Sequence, residues 1–148
     1  MARTVDTKEY LDVVCQLLQE GKQNIGVPVK GFSMRPFLHD QDVAYLNLVA
    51  QPVKPGDILL YQRVTGQYVL HRVQRCLPDG AFMMLGDFQE TLERLEPHQI
   101  RAIVSYVRIG EKILRPGDAR WWLFAHPWRW LAPVRKLIKD VYSFIKSK

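Results

Sequence analysis

Apolar residues at Tyr10, Leu11, Val14, Leu17 and Leu18 recur every three or four positions, which predicts an amphipathic helix from about Thr4 to Glu20. Thr7 or Asp6 would cap its start, and Gly21 with Lys22-Gln23-Asn24 would end it. From Ile25 the period shortens. Runs at Ile25–Lys30, Asp42–Leu46, Asp57–Tyr61, Gln67–Arg75 and Ala81–Leu85 read as strands. Lys54-Pro55-Gly56, Thr65-Gly66 and Pro78-Asp79-Gly80 supply the turn chemistry between them. Ile100–Ile113 is β-branched enough for one or two more strands around Gly110. After Pro133 the period lengthens again: Val134, Leu137, Ile138, Val141, Phe144 and Ile145 keep helical spacing, with Arg135, Lys136, Lys139 and Lys146 among them.

The expected fold is therefore mainly β (α+β). It has an N-terminal helical segment (1–24), a compact antiparallel β domain (25–114) and a Trp-rich basic helical tail (115–148). At 148 residues and 47% hydrophobic, the chain can bury a real core. No apolar run approaches the roughly 18–20 residues of a membrane span. Met1–Glu9 lacks the apolar region of a secretory signal, so a cytoplasmic location is expected. Cys15 and Cys76 make no disulfide framework and have no metal-ligand spacing; both read as small core residues in a reducing compartment. No metal or cofactor is expected.

Charge sharpens the picture of the tail. The net charge is +6, and from Arg115 onward eight Lys/Arg face two Asp/Glu, so the rest of the chain is neutral overall. A nucleic-acid binder spreads its basicity otherwise, and none is expected as a partner. With Trp121, Trp122, Phe124, Trp128 and Trp130 within ten residues, the tail has two main readings. One is a peripheral contact with a membrane surface, where Trp and Lys/Arg suit the headgroup level. The other is a helix docked on the β domain, its Trp residues filling a groove.

Candidate chemistry begins at Ser33, held directly after a glycine and before Met34-Arg35-Pro36. A hydroxyl becomes a useful nucleophile only beside a base. Of the four histidines, His39, His98 and His126 lie in polar turns or beside proline. His71 alone sits within a strand pattern, where alternation puts Val69, His71 and Val73 on one face. An apolar face lowers an imidazole's pKa and keeps it neutral near pH 7. Asp87, after Gly86 at a strand end, is a candidate to orient it, with Glu90 and Glu93 close behind.

Four motifs in order give these residues a frame: Gly31-Phe32-Ser33-Met34-Arg35-Pro36, Pro55-Gly56-Asp57-Ile58, Val69-Leu70-His71-Arg72-Val73 and Gly86-Asp87. Together, over about Val27 to Ile113, they resemble the signal peptidase and LexA-like superfamily of serine peptidases. Bacterial-type members carry a lysine at the base position. A histidine followed by Arg-Val is similar to the archaeal and endoplasmic-reticulum type, so the chain looks like a small stand-alone member with that Ser-His pattern. The resemblance implies a serine endopeptidase acting on a peptide or protein substrate, with Ser33 as nucleophile, His71 as general base and Asp87 orienting it. Glu93 stands six residues beyond Asp87, where eukaryotic relatives have a second acid. Backbone N–H groups around Ser33, at Phe32 and Met34, would form the oxyanion hole, and substrate would lie extended beside Val29 and Lys30. Some bacterial relatives carry a hydroxyl residue where Gly31 stands here. No counterpart of a signal peptidase's N-terminal membrane anchor or of a repressor's DNA-binding domain is expected from this sequence. With the unperturbed histidine value, activity would rise through about pH 6.5. The alternative is an inactive peptide-binding or membrane-surface module on the same fold.

Overall fold

The computed structural model describes residues 7–30, 34–89 and 91–146. Ser33, Phe32, Gly31 and Glu90 lie outside the described residues, as do Thr4 to Asp6 at the expected start of the first helix. The fold is α+β, an antiparallel sheet of eight strands with a helix at each end of the chain.

Helix α1 (Thr7–Gln19) ends two residues before Gly21, whose φ of 99° is left-handed and favours glycine. Strands β1 (Ile25–Pro28), β2 (Val43–Asn47), β3 (Ile58–Gln62), β4 (Tyr68–Cys76) and β5 (Phe82–Leu85) follow the expected runs within a few residues. The short β6 (Glu93–Leu95) has no counterpart in the sequence reading, because three residues carry too little alternation to register. Ile100–Ile113 divides at Gly110 into β7 (Ile100–Ile109) and β8 (Lys112–Leu114). The strands run in the order β1-β2-β7-β3-β4-β5-β6, with β8 pairing the far end of β7.

The long β7 bridges both halves, pairing β2 near Val107 and β3 near Ile103. Register shifts between Tyr45 and Leu46, and again between Leu60 and Tyr61, mark bulges that bend the sheet there. Two apolar clusters result. The larger gathers Leu11, Val14 and Leu18 of α1 with Val27, Leu46, Ile58, Leu60 and Val104, and with Phe37, Leu38 and Trp121. A side chain such as Leu18, fully buried, contributes about 1.5–3 kcal/mol. The smaller holds Leu59, Tyr61, Val69, Val73, Met84 and Leu95. Cys15 packs half-buried against the larger cluster, but Cys76 is exposed where β4 runs past its apolar face, contrary to the core position expected for both.

The chain then closes on the sheet. Helix α2 (Ala119–Leu123) continues through a wide turn at 124–128 into α3 (Arg135–Lys146). Trp121 packs edge-on against Phe37, their ring centres 5.4 Å apart. Gly56 makes this approach possible: its φ is 97°, and a Cβ there would stand 3.0 Å from the Ala125 Cβ. No helix among the described residues is long and apolar enough to cross a membrane.

Candidate functional site

His71 lies on β4 and is 8% exposed. The hairpin at Thr65-Gly66 pairs Tyr61 with Val69 and Leu59 with His71, which places Tyr61, Val69 and His71 on one sheet face. The Tyr61 hydroxyl stands 3.2 Å from His71 Nδ1 and donates to Glu93 Oε1 at 2.9 Å. Arg63, beyond the end of β3, grips the same carboxylate with both arms: Nε to Oε2 and Nη2 to Oε1, each at 2.8 Å.

The protons in this chain can be placed. The Arg63 hydrogen bonds, then that of Tyr61, hold the Glu93 carboxyl below its usual range, against partial burial, so it stays ionised and accepts only. Burial, and then the Glu93 charge, raise the Tyr61 phenol well above its ordinary value, so its proton stays and points at Glu93. The Tyr61 oxygen then offers His71 lone pairs, and Nδ1 must be the nitrogen that carries hydrogen. Nε2 is left as the acceptor. Burial pushes the imidazole down to about 4, with Glu93 opposing and Arg63 adding to the shift, so His71 is neutral near pH 7.

His71 lines a cleft of about 640 Å³. One wall is Val27, Pro28, Val29 and Lys30; another is Tyr68, Val69 and Leu70 of β4; Tyr10 and Leu11 of α1, Met34 and Gln89 complete it. Lys30 and Met34, which flank the undescribed residues 31–33, are both in this lining. β1 is an edge strand, paired among the described residues with β2 alone. Val29 donates to Asp42 and accepts from Gln41, so the alternation of an antiparallel ladder turns the backbone groups of Pro28 and Lys30 toward the open side. Val27 and Val29 are buried beneath that edge.

Asp87 is not where an orienting group for His71 would be. It is fully buried in a two-pronged pair with Arg72, Nε to Oδ1 at 2.8 Å and Nη2 to Oδ2 at 2.9 Å. His71 and Arg72 are neighbours on a strand and face opposite ways. The register pairs Arg72 with Leu85, and Asp87, two residues further on, falls on the Arg72 side. Burial raises the Asp87 carboxyl, and Arg72 followed by Arg135 pulls it back; the fork-to-fork geometry is that of a carboxylate. Arg72 also donates to the Gly56 carbonyl at 2.9 Å and lies over the Phe37 ring. The contacts of Asp87 are those of a buried ion pair with Arg72, and Glu93 is tied to His71 through Tyr61.

Tyr61 and Arg63 escaped the sequence reading as site residues. Counting outward from Thr65-Gly66 alone sets Tyr61 opposite Leu70 and on the other face from His71. The three-residue loop 64–66, closed by Arg63 and Gln67, shifts the register by one and brings Tyr61 and His71 to the same face. His39 and His98 lie on the surface in turns, and His126 packs between Trp122 and Trp130. Among the described residues no group of three or more His, Cys, Asp or Glu is placed to hold a metal. A scan against protein-family models and searches of curated proteins and of solved structures found no match to this chain.

Proposed function

We propose that this chain is a serine endopeptidase of the signal peptidase and LexA-like kind, with Ser33 as nucleophile and His71 as base. The observation that carries the reading is His71 itself, neutral, with Nε2 as its acceptor nitrogen, in a cleft lined by the residues on either side of 31–33. Met34, covalently next to Ser33, lines that cleft. Beside it runs a sheet edge, unpaired among the described residues, onto which a peptide can add as a strand. In this reading substrate lies along Val29 and Lys30, and its carbonyl is presented to Ser33.

The Ser33 Oγ–H bond gives its proton to His71 Nε2 as Oγ attacks the peptide carbonyl. Backbone N–H groups around Phe32 and Met34 would bind the oxyanion. The imidazolium returns its proton to the leaving amine, the C–N bond breaks, and an acyl-serine remains. Water, deprotonated by His71, attacks that ester and releases the acid. Throughout, Tyr61 accepts from Nδ1–H, and Glu93 behind it offsets the charge that forms on the ring.

The two cysteines, both free, fit a reducing compartment, and we place the activity in the cytoplasm. A fluorophosphonate probe, which phosphonylates an activated serine with loss of fluoride, tests the assignment. Wild type should label at one site, Ser33→Ala should not label, and His71→Ala should label far more slowly. A wild type that never labels, with an intact fold, returns the chain to the alternative of a non-catalytic peptide-binding module.

A further inference from the structure

An amphipathic helix at the surface of a folded domain ordinarily turns its apolar face inward. Helix α3 does the reverse. Arg135 is buried and donates to the carbonyls of Gly86 and Asp87 at 3.0 and 2.9 Å. One turn on, Lys139 donates to the Phe88 carbonyl at 2.5 Å and its ammonium lies over the Phe88 ring. The basic side therefore rests on the 86–89 loop. At about 100° per residue the apolar stripe centres roughly 140° away from that contact. Val134, Leu137, Ile138, Val141, Phe144 and Ile145 are all more than 40% exposed. The preceding turn adds Trp122 and Trp130 at 53% and 60% exposed. So large an apolar face does not stay in water without an occupant.

Charge identifies that occupant. The segment from Arg115 carries an excess of six positive charges on a chain otherwise neutral. Asp140, the one acid of α3, is held by Lys136 at 3.0 Å, and Lys146 lies against Tyr142 beside the stripe. Apolar stripe, flanking lysines and tryptophans on one segment match the layered chemistry of a bilayer interface bearing anionic headgroups.

We propose that α3, with Trp122 and Trp130, is an interfacial docking element for anionic lipid bilayers. Its root on the 86–89 loop sets the orientation of the bound molecule. Gln89 of that loop lines the cleft, so docking holds the cleft mouth beside the bilayer, and peptide segments lying at a membrane surface become the substrate class. That last step rests on the peptidase reading; the docking itself does not.

The full chain, as wild type and as Ser33→Ala, is sedimented with phosphatidylcholine vesicles and with vesicles doped with phosphatidylglycerol. Both proteins should pellet with the doped vesicles, less so as salt rises. Ile138→Glu with Val141→Glu should weaken this by about tenfold or more, with circular dichroism and melting temperature unchanged. Should that variant lose its fold, Lys136→Gln with Lys146→Gln keeps the test open, because it removes charge alone and should weaken binding only to doped vesicles. Protein left in the supernatant overturns the proposal. So does equal binding to both vesicle types, and so does a stable dimer in light scattering that Ile138→Glu dissociates, because a second copy would then be the occupant. Binding by Ser33→Ala separates failure here from failure of the peptidase assignment.

Discussion

A neutral imidazole has one donor and one acceptor nitrogen, and the partner of the first decides which one is left for chemistry. In His71 that partner is a tyrosine oxygen whose own proton is committed to a carboxylate, itself held by Arg63. Tyr61→Phe removes the acceptor without changing the shape of the core. Acylation of Ser33 should then slow on the order of tenfold to a hundredfold, a part of what a positioned base contributes. Nitrogen chemical shifts of the ring should move from a pure Nδ1–H tautomer toward a mixture. Slower labelling with no change of tautomer would leave Tyr61 as packing alone. The pH dependence follows from the same burial. His71 falls to about 4, so labelling should hold down to about pH 5 and be lost through 4, well below the limb that an exposed histidine predicts. A midpoint near 6.5 would mean that the working ring is solvated. Stability responds with a definite sign. As pH falls below 6.5 the unfolded chain binds a proton that the folded ring refuses, so stability declines between 6.5 and 4 and then levels, by about 3 kcal/mol in all. His71→Phe should flatten that part of a stability profile measured by urea unfolding.

At the scale of elements, most of the strands were legible because turn chemistry brackets them, and the reason is visible at Gly56. Its left-handed φ and the 3.0 Å that would separate an added Cβ from the Ala125 Cβ both favour glycine there. Gly56→Ala should cost about 1–3 kcal/mol by urea unfolding, from backbone strain and from loosening the 124–128 turn. Periodicity reports which residues share a face but not what that face meets. For α1 the apolar stripe points inward, as pattern alone suggests. For α3 it points outward, because the carbonyls of Gly86, Asp87 and Phe88 need donors and Arg135 and Lys139 provide them. Pairing register was equally hidden. That His71 belongs on an apolar face could be read from Val69 and Val73, whereas the side of the sheet on which Asp87 falls depends on Arg72 standing opposite Leu85. Glu93 sits on a three-residue strand that no local pattern announces, and its tie to Tyr61 spans 32 positions.

For the whole molecule, Asp87 and Glu93 divide two tasks that one motif had seemed to assign together. The Arg72–Asp87 pair is where distant parts of the chain meet. Arg72 reaches the 54–57 turn, Asp87 lies on the 86–89 loop, and Trp128 Nε1 and Arg135 bind the Asp87 carbonyl from the C-terminal segment. Both side chains are out of water, so removing one charge strands the other without hydration. Asp87→Asn should therefore destabilise the fold by about 3–5 kcal/mol and lower the melting temperature, carrying any loss of labelling with it. Glu93 is partly exposed, and Arg63 beside it can turn to solvent, so Glu93→Gln should keep most of the stability. It should instead lower the labelling rate and move the acid limb to still lower pH, because the ring loses the carboxylate that raises its pKa. Measured side by side, unfolding and labelling should separate the two variants. If Asp87→Asn proved stable and slow while Glu93→Gln proved unstable and fast, the orienting group would be Asp87 after all, reached through a rearrangement of β4 against the 86–89 loop.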